Sequence, residues 1–318
     1  MSEYQLSGWK FKALIISIVL SALGYLGFSV WGGWEEVQAS FVEIGFIGAA
    51  IALSMSLINY GLRFIRWQMY LQVLGHKLPV KDNILIYISG FALTTTPGKA
   101  GEAFRGVLLK PYNVSYFSSF AAFISERLSD LLAIVALALI GLSQYPEGQV
   151  FVMTGGLIIL SLLLLMGDAR ILNWIKKKAE SYTGKIAKLV GHIATVFLNA
   201  RRCHEPKLMA SALILSLISW GAEALAFYWV LEWLGADISL PFAVFIYAIS
   251  MLAGALSFLP GGLGGAEAAM LALLVLKNVP MPTAIAATVF IRLATLWFAV
   301  GLGIWALYLK RKPEAMHP

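Results

Sequence analysis

Cysteine and charge are what this chain has least of. Cys203 is the single cysteine in 318 residues, which excludes an intrachain disulfide. Asp, Glu, Lys and Arg together make up 13% of the sequence, against roughly 25% in an ordinary soluble domain. With 59% hydrophobic residues and a mean hydropathy of +0.79, that shortage excludes a soluble globular protein and leaves an integral membrane protein. The net charge of +7 does not point to nucleic acid, because the basic residues are scattered at the ends of apolar runs and form no phosphate-tracking patch. Enzyme signatures are missing as well. The four histidines, His76, His192, His204 and His317, fall in loops or the tail, and neither H-E-x-x-H nor G-x-S-x-G occurs. In PGKAGE, Lys99 is followed by Ala100, not by the Ser or Thr of a nucleotide-binding loop, and the G-x-G of GGLGGAE has no strand before it. No metal, cofactor or ATP use is expected.

What is present is a series of long apolar runs. A full span needs about 20 apolar residues, and six segments supply it or nearly so: 13–31, 44–62, 114–142, 150–167, 208–232 and 281–309. The first follows Lys10 and Lys12, but it is longer than the ~7 to 15 residues of a signal-peptide core and lacks a clear cleavage site, so it is expected to remain as a span. Two further apolar stretches, 83–96 and 241–259, each run into a Pro-Gly loop and then a short helical piece, 102–110 and 266–276. The arms of the first are too short for ~30 Å of hydrocarbon and the second has one arm of ambiguous length; both read as re-entrant hairpins, with a crossing second hairpin left open. Charge asymmetry orients the chain. Lys10, Lys12, Arg63, Arg66, Lys77, Lys81, Lys110, the tail Lys310 to Lys312 and nine Lys or Arg within 168–207 fall on one side. The loops on the other side hold no Lys or Arg except Lys277, which places both termini in the cytoplasm. The expected fold is an all-α polytopic membrane protein: one transmembrane domain over 1–318, with six full transmembrane helices plus two re-entrant helical hairpins.

The hairpins belong to an internal repeat. PGKAGEAFRG (97–106) matches PGGLGGAEAAM (260–270), Glu102 lies 25 residues before Arg127, and Glu267 lies 25 before Arg292. After those arginines the chain reads RLSDLLAIVALALIGL and RLATLWFAVGLGIWAL. Units of about 83–142 and 241–309 then run in opposite senses, the inverted repeat from which many secondary transporters build a midplane site. Pro97, Gly98, Pro260, Gly261, Gly262, Gly264 and Gly265 supply loop backbone that leaves N–H groups free, tolerable at that depth only inside protein or a water-filled cavity.

Glu102 and Glu267 start the helices after these loops, where a carboxylate meets free N–H groups. Arg127 and Arg292 sit in long apolar helices where an uncompensated charge costs at least ~2.5 kcal/mol, so they are expected to pair with those glutamates, within a repeat or across repeats. Glu126 and Asp130 lie on one helix face with Arg127 beside it. They either receive a headgroup or proton, or lock helices together. Lys99 and Arg105 flank Glu102 as candidate anion contacts, and Glu223 is the one charge central to its span. Arg63 and Arg66 are expected to snorkel to the interface. In the basic loop 168–207, Ile186, Leu189, Val190, Ile193 and Phe197 share one helical face, an amphipathic pattern suited to anionic headgroups.

In combination, PGKAGEAFRG, SERLSD, LPGGLGGAE and an arginine in the last span resemble the lysylphosphatidylglycerol synthase transmembrane-region family, the flippase-like proteins, over roughly 44–309. The resemblance implies translocation of a lipid such as an aminoacylated or anionic phospholipid or a polyprenyl-phosphate sugar. It carries functional weight onto Pro97, Gly98, Glu102, Arg105, Glu126, Arg127, Asp130, Gly261, Gly262, Gly264, Glu267 and Arg292. The last span is followed by nine residues, so the synthase domain of some relatives, and with it aminoacyl transfer, is not expected. The expected function is a lipid flippase of the cytoplasmic membrane. Transport of a small soluble anion and intramembrane lipid modification stay open at this level.

Overall fold

The computed structural model describes residues 33–96, 100–257, 259 and 261–311, with residues 23, 24, 27 and 30 before them. The expected first span, the N-terminal lysines, His317, Pro97, Gly98, Lys99 and Pro260 therefore fall wholly or mostly outside the described residues. Every regular element among those described is helical.

Helix α1 (Trp34–Val73) starts after Gly33 with Glu35 and Glu36 in its first turn, at the positive end of the helix dipole. It is 40 residues long and outruns the expected 44–62, with a non-helical break at Gly45 (φ 64°). Helix α2 (Val80–Ser89) continues as a 3-10 turn, Gly90–Leu93, and the chain returns through a second 3-10 turn, Ala100–Phe104, into α3 (Arg105–Leu109). Ser115 caps α4 (Tyr116–Gly141) by accepting from the Ser118 N–H at 3.1 Å. After α5 (Gln149–Gly167), Asp168 caps α6 (Ala169–Glu180) in the same way, and α7 (Lys185–Arg202) packs back on α6. Prolines in the first turn start α8 (Pro206–Trp233), α9 (Leu240–Leu256) and α11 (Met281–Arg292), where a missing N–H is no loss. Between α9 and α11 lies α10 (Gly265–Leu276). A π-helical turn, Leu293–Trp297, joins α11 to α12 (Phe298–Arg311).

Among the described residues three helices are long and apolar enough to cross a membrane: Trp34–Val73, Pro206–Trp233 and the continuous Met281–Lys310. Helix α4, at 26 residues, has the length but carries Glu126, Arg127 and Asp130 along it. The arms of the two hairpins, α2 with its 3-10 turn against α3, and α9 against α10, are shorter.

Two apolar cores form, with α1, α4 and α8 contributing to both. One gathers α9, α10 and α11; the other gathers α2, the first hairpin, the end of α7 and Ala299. On α4 the changeover falls between Leu128 and Ala133, and on α8 between Ala212 and Trp220. Asp130 occupies the first gap, Ser216 and Ser219 the second, so the polar layer lies where the cores meet.

Each long helix after a hairpin packs on the other hairpin. Helix α4 lies against α9, and a Cβ on Gly141 would collide with the Pro241 carbonyl oxygen. Helix α12 lies against α2 and its 3-10 turn, and a Cβ on Gly303 would collide with the backbone of Ala92. The hairpin tips also touch, since a Cβ on Gly261 would stand 3.4 Å from the Thr95 Cα.

Candidate functional site

The second hairpin supplies the simpler half of the site. Gly261, Gly262 and Gly264 have φ of 67°, 69° and 84°, backbone that favours glycine. This loop delivers the Gly264 N–H to Glu267 Oε2 at 2.6 Å, and Glu267 Oε1 accepts from Arg292 Nε at 2.6 Å. Arg292 Nη2 donates to the Gly261 carbonyl at 3.0 Å, so one guanidinium ties the loop to α11. Gly265 opens α10 against Ser257.

The first hairpin supplies a denser half. Glu102 accepts from the Thr94 hydroxyl at 3.0 Å and lies 3.5 Å from Arg127 and 3.7 Å from Arg105. Arg105 is held by Glu126 at 2.6 Å and stacks over Trp67, 4.1 Å from the ring centroid. Asp130 takes Arg66 at 2.7 Å, Arg127 at 3.1 Å, Arg63 at 3.5 Å and the Trp220 indole N–H at 3.0 Å. Arg66 also donates to Ser216 and lies 3.9 Å from Glu126. Four arginines thus face three carboxylates, and Nε atoms of Arg63, Arg66 and Arg127 donate no hydrogen bond among the described residues. Glu223 accepts from the Tyr247 hydroxyl at 2.6 Å, and Tyr60 reaches the Thr295 carbonyl in the π-helical turn.

The glutamate–arginine pairs expected from the 25-residue spacing form within each unit. Snorkelling of Arg63 and Arg66 does not occur: they are 5% and 0% exposed. Ser56, Asn59, Arg63, Arg66 and Tyr70, all buried, recur every three or four residues and form one polar stripe on α1. That spacing was the available signal; the nearness of both arginines to the end of an apolar run masked it. Tyr60, Trp220 and Tyr247 also had no marker in the sequence. Of the threonines, Thr94 serves Glu102, whereas Thr96 bonds back to the Leu93 carbonyl. The described histidines stand apart: His192 packs edge-on to Phe117, and burial holds His76 and His204, in loops, toward the neutral form. Among the described residues no group of His, Cys, Asp or Glu is arranged to hold a metal ion.

Two cavities adjoin these charges. The larger, about 290 Å³, is lined by the charged Arg127, Asp130 and Arg292 together with the apolar Leu131, Ile134, Ala255, Leu256 and Leu259. Leu256 and Leu259 in its lining are 55% and 46% exposed. The smaller, about 40 Å³, is lined by Tyr60, Arg63, Thr94, Glu102, Glu223, Tyr247 and Thr295. Trp220, Met251 and Arg292 line both cavities.

Residues 14–303 match the family model of the lysylphosphatidylglycerol synthase TM region. The chain belongs to this family. Among its relatives, a UPF0104 membrane protein of Methanothermobacter thermautotrophicus is 25% identical over 305 residues, 89% of this chain and 90% of its own. One of Pyrococcus horikoshii is 25% identical over 324 residues, covering 92% and 95%. Another, of Methanocaldococcus jannaschii, is 26% identical over 236 residues, covering 72% and 97%. As a member of the lysylphosphatidylglycerol synthase TM region family with these relatives and these apolar helices, the chain is a membrane protein.

Proposed function

We propose that this protein is a lipid flippase. It moves a phospholipid or polyprenyl-phosphate-linked headgroup across the cytoplasmic membrane through the larger cavity, which α4, α8, α11 and the second hairpin line, and catalyses no aminoacyl transfer. The observation that carries the reading is the mixed lining of the larger cavity, where two arginines share one space with two exposed leucines. A guanidinium pair suits a phosphate, and exposed leucines suit the chains attached to it. In the smaller cavity, about 40 Å³ holds a few waters and no headgroup. In this reading the chain crosses the membrane six times with both termini cytoplasmic. The hairpins enter from opposite faces as halves of an inverted repeat, consistent with their touching tips and exchanged helix contacts.

The test is headgroup translocation in proteoliposomes with fluorescent phosphatidylglycerol, its lysyl form and a polyprenyl-phosphate sugar. The wild type is expected to translocate at least one of these, and a folded Arg127→Gln, Arg292→Gln double variant none. Absence of translocation for every lipid, with or without an ion gradient, would falsify the flippase reading.

A further inference from the structure

A cavity of about 800 Å³, larger than either of the two beside the charged cluster, lies between α6 and α7 and shares no lining residue with them. Small residues make the space. The two helices come close where a Cβ on Gly191 would stand 3.8 Å from the Ala179 Cβ, and Ala179, Gly184 and Ala187 line the groove that opens beside that contact. Its apolar lining is Trp174, Ile175, Ile186 and Val190, of which Trp174, Ile186 and Val190 are exposed. A helix that merely rests on a bilayer needs one apolar face. Here apolar residues of two helices line one shared groove, with a volume in the range of ligand sites, roughly 300 to 1,000 Å³.

Charge and position say what fits it. Lys178 and Lys185 belong to the lining, and among the described residues no Asp or Glu does. The Lys178 ammonium lies 4.9 Å from the Trp174 ring centroid, and the nearby acid on α6, Glu180, is paired with Lys176 at 3.9 Å. Lysines of this kind lay their stems along apolar surface and keep the ammonium available to an anion. The groove is also held beside the membrane. Helix α6 follows the apolar α5 after Asp168 alone, and the far end of α7 is anchored in the second core through Val196, Phe197 and Ala200. An apolar trough with two cations, next to a bilayer, matches an amphiphile with an apolar chain and a negative head.

We propose that the groove between α6 and α7 binds one anionic phospholipid of the adjoining leaflet. An acyl chain lies against Trp174, Ile175, Ile186 and Val190, and the phosphate meets Lys178 and Lys185. The site is separate from the larger cavity of the proposed translocation path, and it stands whether or not that path carries a lipid.

The experiment is photolabelling of the purified full chain in phosphatidylcholine liposomes with a trace of phosphatidylglycerol that carries a diazirine on one acyl chain. The labelled residues are identified by mass spectrometry, and diazirine-bearing phosphatidylcholine at the same share forms the second arm. Ile193, exposed on the same face of α7 but outside the groove lining, reports the surrounding bilayer. In the wild type the phosphatidylglycerol label is expected to concentrate on the groove residues over Ile193, to saturate, and to be displaced by unlabelled phosphatidylglycerol. Lys178→Gln and Lys185→Gln, at exposed positions, are each expected to lower that excess about fivefold. Ala187→Phe fills the groove and leaves every charge in place, so it is expected to abolish the excess. An excess that survives in a folded Ala187→Phe chain would mean that the lysines gather anionic lipid at an open surface, and it overturns the site. Equal groove labelling by both lipids overturns it as well, since an apolar surface without headgroup preference is open to a protein partner. No groove label from either lipid, the result of a second copy of the chain covering the groove, overturns it too. The two-lipid comparison on the wild type and the two lysine variants decide the matter even where Ala187→Phe fails to fold.

Discussion

Arg66 is fully buried, and its partners, Asp130, Ser216 and Glu126, come from α4 and α8. Removing one member of a buried ion pair strands the other, at about 3 to 5 kcal/mol. Arg66→Met is therefore expected to lower the unfolding temperature sharply in detergent, with Arg170→Met, at an exposed position, as the control that changes stability by less than ~0.5 kcal/mol. An equal effect of the two would remove Arg66 from the structural core of the cluster. At this scale the sequence was a partial guide. Glu102, Arg127, Glu267 and Arg292 announced themselves because charges in apolar helices need partners, and their equal spacing named them. Arg63 and Arg66 did not, because an arginine near the end of an apolar run reaches water or a buried acid equally well as far as the sequence goes.

Among the elements, the glycines where long helices cross hairpins are the tightest contacts. A methyl group at Gly141 or Gly303 has no space, so Gly141→Ala and Gly303→Ala are each expected to destabilise by about 1 to 3 kcal/mol, measured by thermal unfolding. Gly301→Ala, where nothing lies within 4 Å, is the neutral comparison. The basic segment 168–207 folds as two helices. Val196, Phe197 and Ala200 pack into the second core, while Trp174, Tyr182, Ile186 and Leu189 are 61%, 64%, 80% and 58% exposed beside Lys178, Lys185 and Lys188. A fluorophore on Ile186→Cys, in a Cys203→Ala background, is expected to report an apolar surround in nanodiscs containing phosphatidylglycerol and a wetter one in phosphatidylcholine alone. Identical spectra would mean that the lysines do not engage anionic lipid. The apolar face of α7 was legible from its period; its division between core and surface was not, since that depends on where α4 lies.

For the whole molecule, the decisive property is the direction in which the larger cavity opens. Leu256 and Leu259, exposed residues of its lining, are expected to face acyl chains. A fluorophore on Leu256→Cys should be quenched by lipids carrying a quencher on their chains and not by a water-soluble one. The reverse result would favour a soluble anion over a lipid.

The sequence by itself determined that this is a membrane protein, which segments are helical, and that two glutamates and two arginines in apolar surroundings recur at one spacing and need partners. Those properties follow from hydropathy, helix-start residues and the penalty for unpaired charge, all local or nearly so. Only the tertiary structure decided that four arginines converge on three carboxylates, and that Trp220, Met251 and Arg292 line both of the cavities beside them. The physical reason is that α1, α4, α8 and both hairpins meet there from distant parts of the chain. A side chain's partners are set by which helices are neighbours, a property no single helix carries.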